Sequence, residues 1–375
     1  MNVPTSPHSR TVEVEEVAGF DALIAGGAKS MHGWIFQAVD LRTRSSELVA
    51  LRAPGAIFLG CLFAPEIENL LRSRGALIFP TLPNIPFNAY RGHLYTGAEL
   101  YAGIAGGDYE SVPDALIYQW TLQRGRGRAL DATLATAMHD HAISDALDDF
   151  MTTLAGAGIR TVGIMGGHRS ARGSTEYAQA AHLGRSLARQ GFMVATGGGP
   201  GTMEAANLGA YLAGYDDDAL DSALGTLACV PGFRPSVSAW AQAAEAVLAQ
   251  FPTGTKNLGI PTWFYGHEPP NVFATSVAKY FANSVREAVL LARCDGGIIF
   301  LPGAAGTVQE IFQDACENYY ASEGGERPMV LVGRRYWEKD LPVRPLLAAL
   351  ASGRTMAGRI HVVDTVEQAC QAIAH

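Results

Sequence analysis

The sequence lacks a surplus of positive charge. Its 375 residues carry 28 lysines and arginines against 36 aspartates and glutamates, which gives a formal net charge of -8. Nucleic acid phosphates attract basic surfaces, so this balance argues against a nucleic acid polymer as a partner. A small local basic pocket remains compatible with it.

Paired cysteines and long apolar runs are also scarce. The five cysteines are widely scattered and show neither a C-x-x-C pair nor a histidine spacing suited to zinc. We therefore expect reduced, mostly buried thiols and no metal site. No apolar run is long enough to span a bilayer, and the N-terminus lacks the charged-then-apolar pattern of a signal peptide. We expect a cytoplasmic protein that does not bind membranes.

Apolar residues are plentiful, at 48% of the chain, and they follow alternating β and α patterns. An apolar run at 161–165 precedes a turn rich in glycine and serine, a helical period over 176–190 and a second run at 192–195. Further strands are predicted near 226–230 and at 297–301, 329–332 and 360–363. Further helices are predicted near 237–250, 272–293, 306–319, 345–351 and 366–373. The alternation predicts an α/β domain over 158–375 with a doubly wound, Rossmann-like parallel sheet.

Residues 1–128 are predicted to form a smaller N-terminal α/β domain, because apolar runs at 56–61 and 76–80 flank a helical stretch at 65–73. Residues 129–157 are predicted to form a linking helix. Three roles stay open for the smaller domain: covering the site, driving oligomerisation or binding an effector. We expect a homo-oligomer, a dimer or larger.

Two glycine-rich turns, 197–202 and 302–307, each follow an apolar strand and precede a helix. Ligands of open parallel sheets bind at this edge, where glycine permits close approach and the first N–H groups of a helix attract phosphate. The alternative is a tight connection whose glycines serve packing alone. Neither turn has the G-K-[ST] ending of a P-loop, and Thr202 breaks the dinucleotide pattern, so ATP and NAD are disfavoured.

Two polar positions flank the second turn. Glu310 completes a T-x-x-E capping box with Thr307, or it reaches the ribose hydroxyls of a bound 5'-monophosphate. Asn283, Arg286 and Glu287 are helical neighbours at i, i+3 and i+4. Arg286 is either a ligand contact or an ordinary solvated charge.

The strings Gly197-Gly-Gly-Pro-Gly-Thr-Met-Glu204 and Pro302-Gly-Ala-Ala-Gly-Thr-Val-Gln-Glu310 resemble the paired signature of the lonely guy (LOG) family. These enzymes are cytokinin riboside 5'-monophosphate phosphoribohydrolases that were often mislabelled lysine decarboxylases. The stretch 261–270, leading into 278–286, is similar to larger bacterial nucleotide 5'-monophosphate nucleosidases. The resemblance covers roughly residues 158–375.

The resemblance implies that Glu310 is the catalytic carboxylate and that Arg286 is the arginine preceding the second turn. The other substrate-binding positions are Gly198, Gly199, Gly201, Thr202 and Glu204 in the first turn, Gly303, Ala304, Ala305, Gly306 and Thr307 in the second, and Gly166, Ser170, Asn283 and His267 elsewhere. His267 is included because its aromatic loop offers faces on which a nucleobase stacks, and the alternative is a packed loop with an aromatic anchor. Two positions depart from the family: Ala304 replaces the usual second glycine, and Glu287 replaces a basic residue.

The implied reaction is hydrolysis of the N-glycosidic bond of a nucleoside 5'-monophosphate, AMP or similar, to free base and ribose 5-phosphate. It needs no metal or redox cofactor. The rival is a regulatory protein that binds a nucleotide without cleaving it. A pyridoxal-phosphate decarboxylase needs a Schiff-base lysine, and only Lys256 and Lys279 are expected near the site.

Overall fold

The computed structural model describes residues 11–125, 129–264, 268–322 and 324–374. Contacts between Cα atoms divide the chain into two compact units. The first contains Met1–His93 and Gly127–Ala146, and the second contains Leu94–Arg126 and Leu147–His375. The predicted boundaries at 128 and 157 remain a prediction. The contact division differs from them in placing 94–126 with the larger unit.

The first unit is a small α/β domain built on a four-stranded parallel sheet in the order β1-β2-β3-β4. Its strands are β1 (Val12–Val14), β2 (Trp34–Gln37), β3 (Ile57–Leu59) and β4 (Leu77–Phe79), and its helices include α1 (Val17–Ala25), α2 (Ser45–Ala50) and α3 (Ile67–Ser73). The strand register aligns one buried residue from each strand, namely Val14, Phe36, Phe58 and Ile78. This apolar row forms the centre of the unit's core. Strands β1 and β2 were not predicted from the sequence.

The second unit contains a seven-stranded parallel sheet in the order β11-β10-β9-β5-β6-β7-β8. Its strands are β5 (Thr161–Met165), β6 (Met193–Thr196), β7 (Leu258–Gly259), β8 (Ser276–Val277), β9 (Gly297–Phe300), β10 (Met329–Val332) and β11 (Ile360–Val363). The helices from residue 97 onward are α4 (Gly97–Leu100), α5 (Pro113–Trp120), α6 (Leu130–Gly156), α7 (Thr175–Arg189), α8 (Thr202–Tyr211), α9 (Asp217–Ala228), α10 (Val237–Gln250), α11 (Asn283–Ala292), α12 (Ala305–Tyr320), α13 (Val343–Ala351) and α14 (Val366–Ala374). Helix α6 crosses the boundary between the two units.

The sheet forms because its central strands are mostly apolar and are buried along their whole length. Strands β5, β6, β9 and β10 are buried at every residue, as expected for a parallel sheet covered on both faces. Helix α7 packs against α8 and α14, whereas α12 packs against α11 and α13. These two groups of helices fit a doubly wound sheet, and the predicted Rossmann-like fold with a smaller α/β domain is confirmed.

Two predicted elements are wrong. The run at 226–230 is not a strand, because helix α9 extends to Ala228 and buries Leu220, Ala223 and Leu227 at helical spacing. The predicted helix at 272–293 begins only at Asn283. Most of the residues at 272–282 are buried, and they include the edge strand β8, so an apolar run that looked helical is a strand and a loop.

All five cysteines are free, and three of them are buried: Cys61, Cys294 and Cys370. Within the described ranges, no helix has the length and the apolar character required to cross a membrane.

Candidate functional site

Three loops meet at the carboxyl edge of the seven-stranded sheet. The chain runs from β5 to β6, β7 and β8 on one side and then returns to β9 on the other side of β5. This reversal creates the crevice in which ligands of doubly wound proteins bind. The loop after β5, the first glycine-rich turn after β6 and the second after β9 all lie there.

The loop after β5 is hydrogen-bonded to both turns. The Thr202 N–H donates to the Gly167 carbonyl at 3.1 Å, and the Gly167 N–H donates to the Pro302 carbonyl at 3.3 Å. A Cβ atom on Gly166 would lie 2.7 Å from Thr202 Cγ2, and the hydroxyls of Ser170 and Thr202 are 3.0 Å apart. The structure therefore brings Gly166, Ser170 and Thr202 together.

Two glycines of the first turn, Gly198 and Gly201, are required by packing. Gly198 and Gly201 have φ angles of 70° and 71°, which favour glycine. A Cβ atom on Gly198 would lie 2.6 Å from Pro261 Cδ, and one on Gly201 would lie 2.7 Å from the Gly167 carbonyl oxygen. Gly199 faces the flexible end of Met203 instead, with a Cβ-to-Cε distance of 2.8 Å. Packing alone accounts for Gly198 and Gly201.

Glu204, predicted to contact the ligand, is fully buried in an ion pair. The Arg172 Nε donates to Glu204 Oε2 at 3.1 Å, and Arg172 Nη2 donates to Glu204 Oε1. The remaining guanidinium nitrogen, Nη1, donates to the Trp240 carbonyl at 2.9 Å. Both oxygens of Glu204 are therefore engaged by a protein partner. The sequence reasoning missed Arg172, whose signal was a single charge in a run of small residues.

The second turn is open by comparison. Ala304, Ala305 and Gly306 are exposed, and a Cβ atom on Gly306 would meet no described atom within 4 Å. Gly303 is the tight position, since its Cβ would lie 2.1 Å from Thr307 Oγ1. Its carbonyl accepts a hydrogen bond from the Tyr336 hydroxyl at 2.6 Å. The turn is thus fixed at Gly303 and accessible at the next three residues.

Helix α12 begins at Ala305, so Thr307 lies inside it and the predicted capping box is wrong. Among the described residues, no side chain caps this helix. Its first N–H groups therefore remain available to a ligand. Ala304 has a negative φ of -106°, so this position does not need glycine to adopt a left-handed conformation.

Arg286 and Glu310 lie side by side on α11 and α12. Arg286 Nη1 is 3.6 Å from Glu310 Oε1, and the two side chains are 12% and 15% exposed. A Cβ atom on Gly197 would lie 3.8 Å from Arg286 Nη1, so the guanidinium sits between the first turn and Glu310. Within the described chain, Arg286 Nε and Nη1 are buried and have no hydrogen-bond partner. A buried guanidinium whose N–H groups lack a protein acceptor needs a hydrogen-bond acceptor from a ligand or from water.

Burial raises the pKa of Glu310 to about 7, against the opposing effect of Arg286 and with a further increase from the charge of Glu287. Glu287 is itself held by two amides. Asn283 Nδ2 donates to its Oε1 at 2.6 Å, and Gln309 Nε2 donates to its Oε2 at 2.7 Å. The acidic residue at 287 thus bridges α11 and α12 and acts on Glu310 through its charge.

His267 lies outside the described residues. Its neighbour Glu268 places Oε1 3.5 Å from His168 Nδ1, beside the loop after β5. Lys279 is buried, and its Nζ donates to Asp114 Oδ1 at 2.6 Å. The Lys279 amine is therefore held in a buried ion pair with Asp114. This is a structural role rather than that of a Schiff-base lysine.

The fold, and the loops at the carboxyl edge of the seven-stranded sheet, define a Rossmann-like α/β protein with two glycine-rich turns. Residues 159–215, which include β5, α7, β6 and the first turn, match the model of the SLOG cluster4 family. This match confirms the LOG-type resemblance for that segment. No curated protein matches the chain.

Two solved structures show a distant likeness. A molybdenum cofactor binding protein from the phototrophic bacterium Rippkaea orientalis is 17% identical over 58% of this chain and 96% of its own, with a TM-score of 0.36. The molybdenum cofactor carrier protein from Chlamydomonas reinhardtii is 18% identical over the same shares, with a TM-score of 0.35. Because both TM-scores are low, we draw no function from these two proteins.

Proposed function

We propose that the protein hydrolyses the N-glycosidic bond of a nucleoside 5'-monophosphate. The observation that carries this proposal is the pairing of Arg286 with Glu310 in the crevice between the two turns. Beside a carboxyl group with a pKa of about 7 lies a guanidinium whose buried Nε and Nη1 find no hydrogen-bond acceptor among the described residues. Titratable groups in such positions are typical of functional sites.

The 5'-phosphate would lie against the second turn. Ala305 and Gly306 begin helix α12 at an exposed, uncapped end within the described chain, where N–H groups and the helix dipole attract an anion. Glu310 is one to two helical turns further along the same helix. A ribose attached to the phosphate would extend toward Glu310 and Arg286.

The reaction needs a group that stabilises positive charge on the sugar. As the bond between C1' and the base nitrogen breaks, the ribose becomes oxocarbenium-like, and water adds at C1' while the base leaves with a proton. Ionised Glu310 stabilises that charge and orients the water, while Arg286 binds the phosphate, the ribose or the departing base. This scheme uses no metal or redox cofactor.

Incubation with AMP, GMP, CMP and UMP, followed by chromatography of the free bases, tests the proposal. We expect release of base from at least one of them. Glu310→Gln should lower this release by about 100-fold or more because the charge is lost, while the nucleotide still raises the melting temperature. Glu317→Gln, on the same helix, is the matched control and should keep its activity.

Unchanged turnover in Glu310→Gln would remove the carboxylate from the mechanism. If no base is released from any nucleotide while one of them still raises the melting temperature, the protein binds nucleotides without cleaving them. That result would establish the regulatory alternative in place of the enzyme.

A further inference from the structure

A cavity of about 560 Å³ adjoins the first turn and is lined in part by Pro200 and Gly201. Its walls come from the loop after β5, the first turn, the loop between α9 and α10, and Glu268. The lining residues that bear on its chemistry are His168, Arg169, Pro200, Phe233, Arg234 and Glu268. The proposed reaction centre makes no use of this cavity.

The walls of the cavity carry a positive charge excess. Arg169 and Arg234 are exposed, and in the described parts of the chain neither has a carboxylate partner. Glu204 in the lining is paired with Arg172, and the second lining carboxylate, Glu268, lies 3.5 Å from His168, so Arg169, Arg172 and Arg234 outnumber the carboxylates by one. The Arg169 and Arg234 guanidinium groups, in a protein of net charge -8, form a local attractor for anions.

The floor of the cavity is fixed before any ligand arrives. The backbone N–H of Arg172 donates to the Pro231 carbonyl at 2.9 Å. This hydrogen bond joins the loop after β5 to the loop that carries Arg234. The Arg172 guanidinium lies 4.6 Å from the centre of the Trp240 ring, which is 1% exposed. Phe233 adds an aromatic face at the wall. A preformed cavity with few convergent polar groups is typical of a ligand site.

We propose that this cavity binds a second anionic group of the nucleotide. The inference rests on the proposed function, in which the second turn holds the 5'-phosphate. A monophosphate with an uncharged base offers no second anionic group to Arg169 and Arg234, whereas a carboxylate or phosphate elsewhere on the ligand would give these arginines a charged partner. The ligand class is therefore a nucleotide that carries a negative group on its base or ribose in addition to the 5'-phosphate.

Two ligand pairs separate the possible sources of that charge. Orotidine 5'-monophosphate differs from UMP by one carboxylate on the base, and adenosine 3',5'-bisphosphate differs from AMP by one phosphate on the ribose. Calorimetric titration of the full chain should give a Kd about tenfold or more lower for the more anionic member of one pair, as expected for new charge-assisted hydrogen bonds. In the double variant Arg169→Ala/Arg234→Ala, this Kd ratio should fall to near one. Arg344→Ala, an exposed arginine outside the cavity, should leave the ratio unchanged.

Equal Kd values within both pairs would overturn the inference, and so would a preference that survives in the double variant. Base release from UMP or AMP with no preference in binding would defeat this inference alone. A preference that depends on the two arginines, without release of base, would defeat only the proposed hydrolysis.

Discussion

The two glycine-rich turns share a sequence pattern and a place in the fold, but their surroundings differ. In the first turn, Gly198 and Gly201 are fixed by close contacts, and Glu204 is buried against Arg172. In the second turn, Gly306 is exposed and Glu310 faces a guanidinium that has nitrogens without acceptors among the described residues. The first turn is built into the core, whereas the second is open to a ligand.

This difference shows that glycine spacing alone does not identify a phosphate site. Contacts within the protein explain two glycines of the first turn. For these two residues, the alternative of glycines that serve packing alone is therefore sufficient. At the second turn, packing explains Gly303 but not the open space at Gly306. We therefore propose that the second turn holds the phosphate and that the first shapes the crevice.

The largest expected effect is a difference in stability between variants of two acidic residues, Glu204 and Glu310. Glu204→Gln should lower the free energy of unfolding by about 3 to 5 kcal/mol, because it leaves the buried Arg172 uncompensated. Glu310→Gln should change it by less than about 1 kcal/mol, since the carboxyl group of Glu310 is already partly neutral near pH 7. Urea unfolding of both variants measures the contrast. Equal losses would contradict the division between a structural and a functional carboxylate.

The double variant Arg172→Met/Glu204→Leu is the control for that measurement. It removes both buried charges together, so we expect it to recover most of the stability that Glu204→Gln loses. A double variant as unstable as the single one would mean that packing around Trp240, rather than the unpaired charge, causes the loss.

The next contrast compares one glycine from each turn. Gly201→Ala should cost about 1 to 3 kcal/mol, because the residue has positive φ and a Cβ would press on the Gly167 carbonyl. Gly306→Ala should stabilise the free protein by about 0.5 to 1 kcal/mol, as alanine does inside a helix, and should weaken AMP binding by crowding the phosphate. Thermal unfolding with and without AMP checks both. Undiminished AMP affinity in Gly306→Ala would place the phosphate elsewhere.

The smallest expected effect is a shift in pH dependence. Base release should rise as the pH passes through about 7, because Glu310 acts in its ionised form. The charge of Glu287 helps to raise the pKa of Glu310, so Glu287→Gln should move the rise to lower pH. Glu338→Gln, which removes a carboxylate paired with Arg334 and Arg344, should leave the profile in place. A profile of Glu287→Gln that moves to higher pH would show that Glu287 does not act on Glu310 through its charge.

Much of the larger sheet was predictable because its strands are short apolar runs bounded by glycine and by amphipathic helices. The strand at Met329–Val332 and the strand at Ile360–Val363 match their predictions at both ends. The predicted strand near 226–230 failed because four apolar residues in a row do not distinguish a buried strand from the end of a buried helix.

The site was predictable in its backbone and less so in its side chains. The glycine-rich pattern predicted both turns, and the i, i+3 and i+4 spacing of Asn283, Arg286 and Glu287 indicated Arg286 as a candidate. The sequence did not predict the pairing of Arg172 with Glu204. The two residues are 32 positions apart, and only the packing at the edge of the sheet brings them together. The openness of the second turn likewise depends on tertiary contacts that no local pattern encodes.

The most direct test is a crystal structure of Glu310→Gln soaked with AMP. We expect the phosphate oxygens to lie within hydrogen-bond distance of the N–H groups at the start of α12, with the ribose beside residue 310 and Arg286. A phosphate bound at the first turn, or a nucleotide bound away from Arg286, would contradict the proposed division of roles between the two turns.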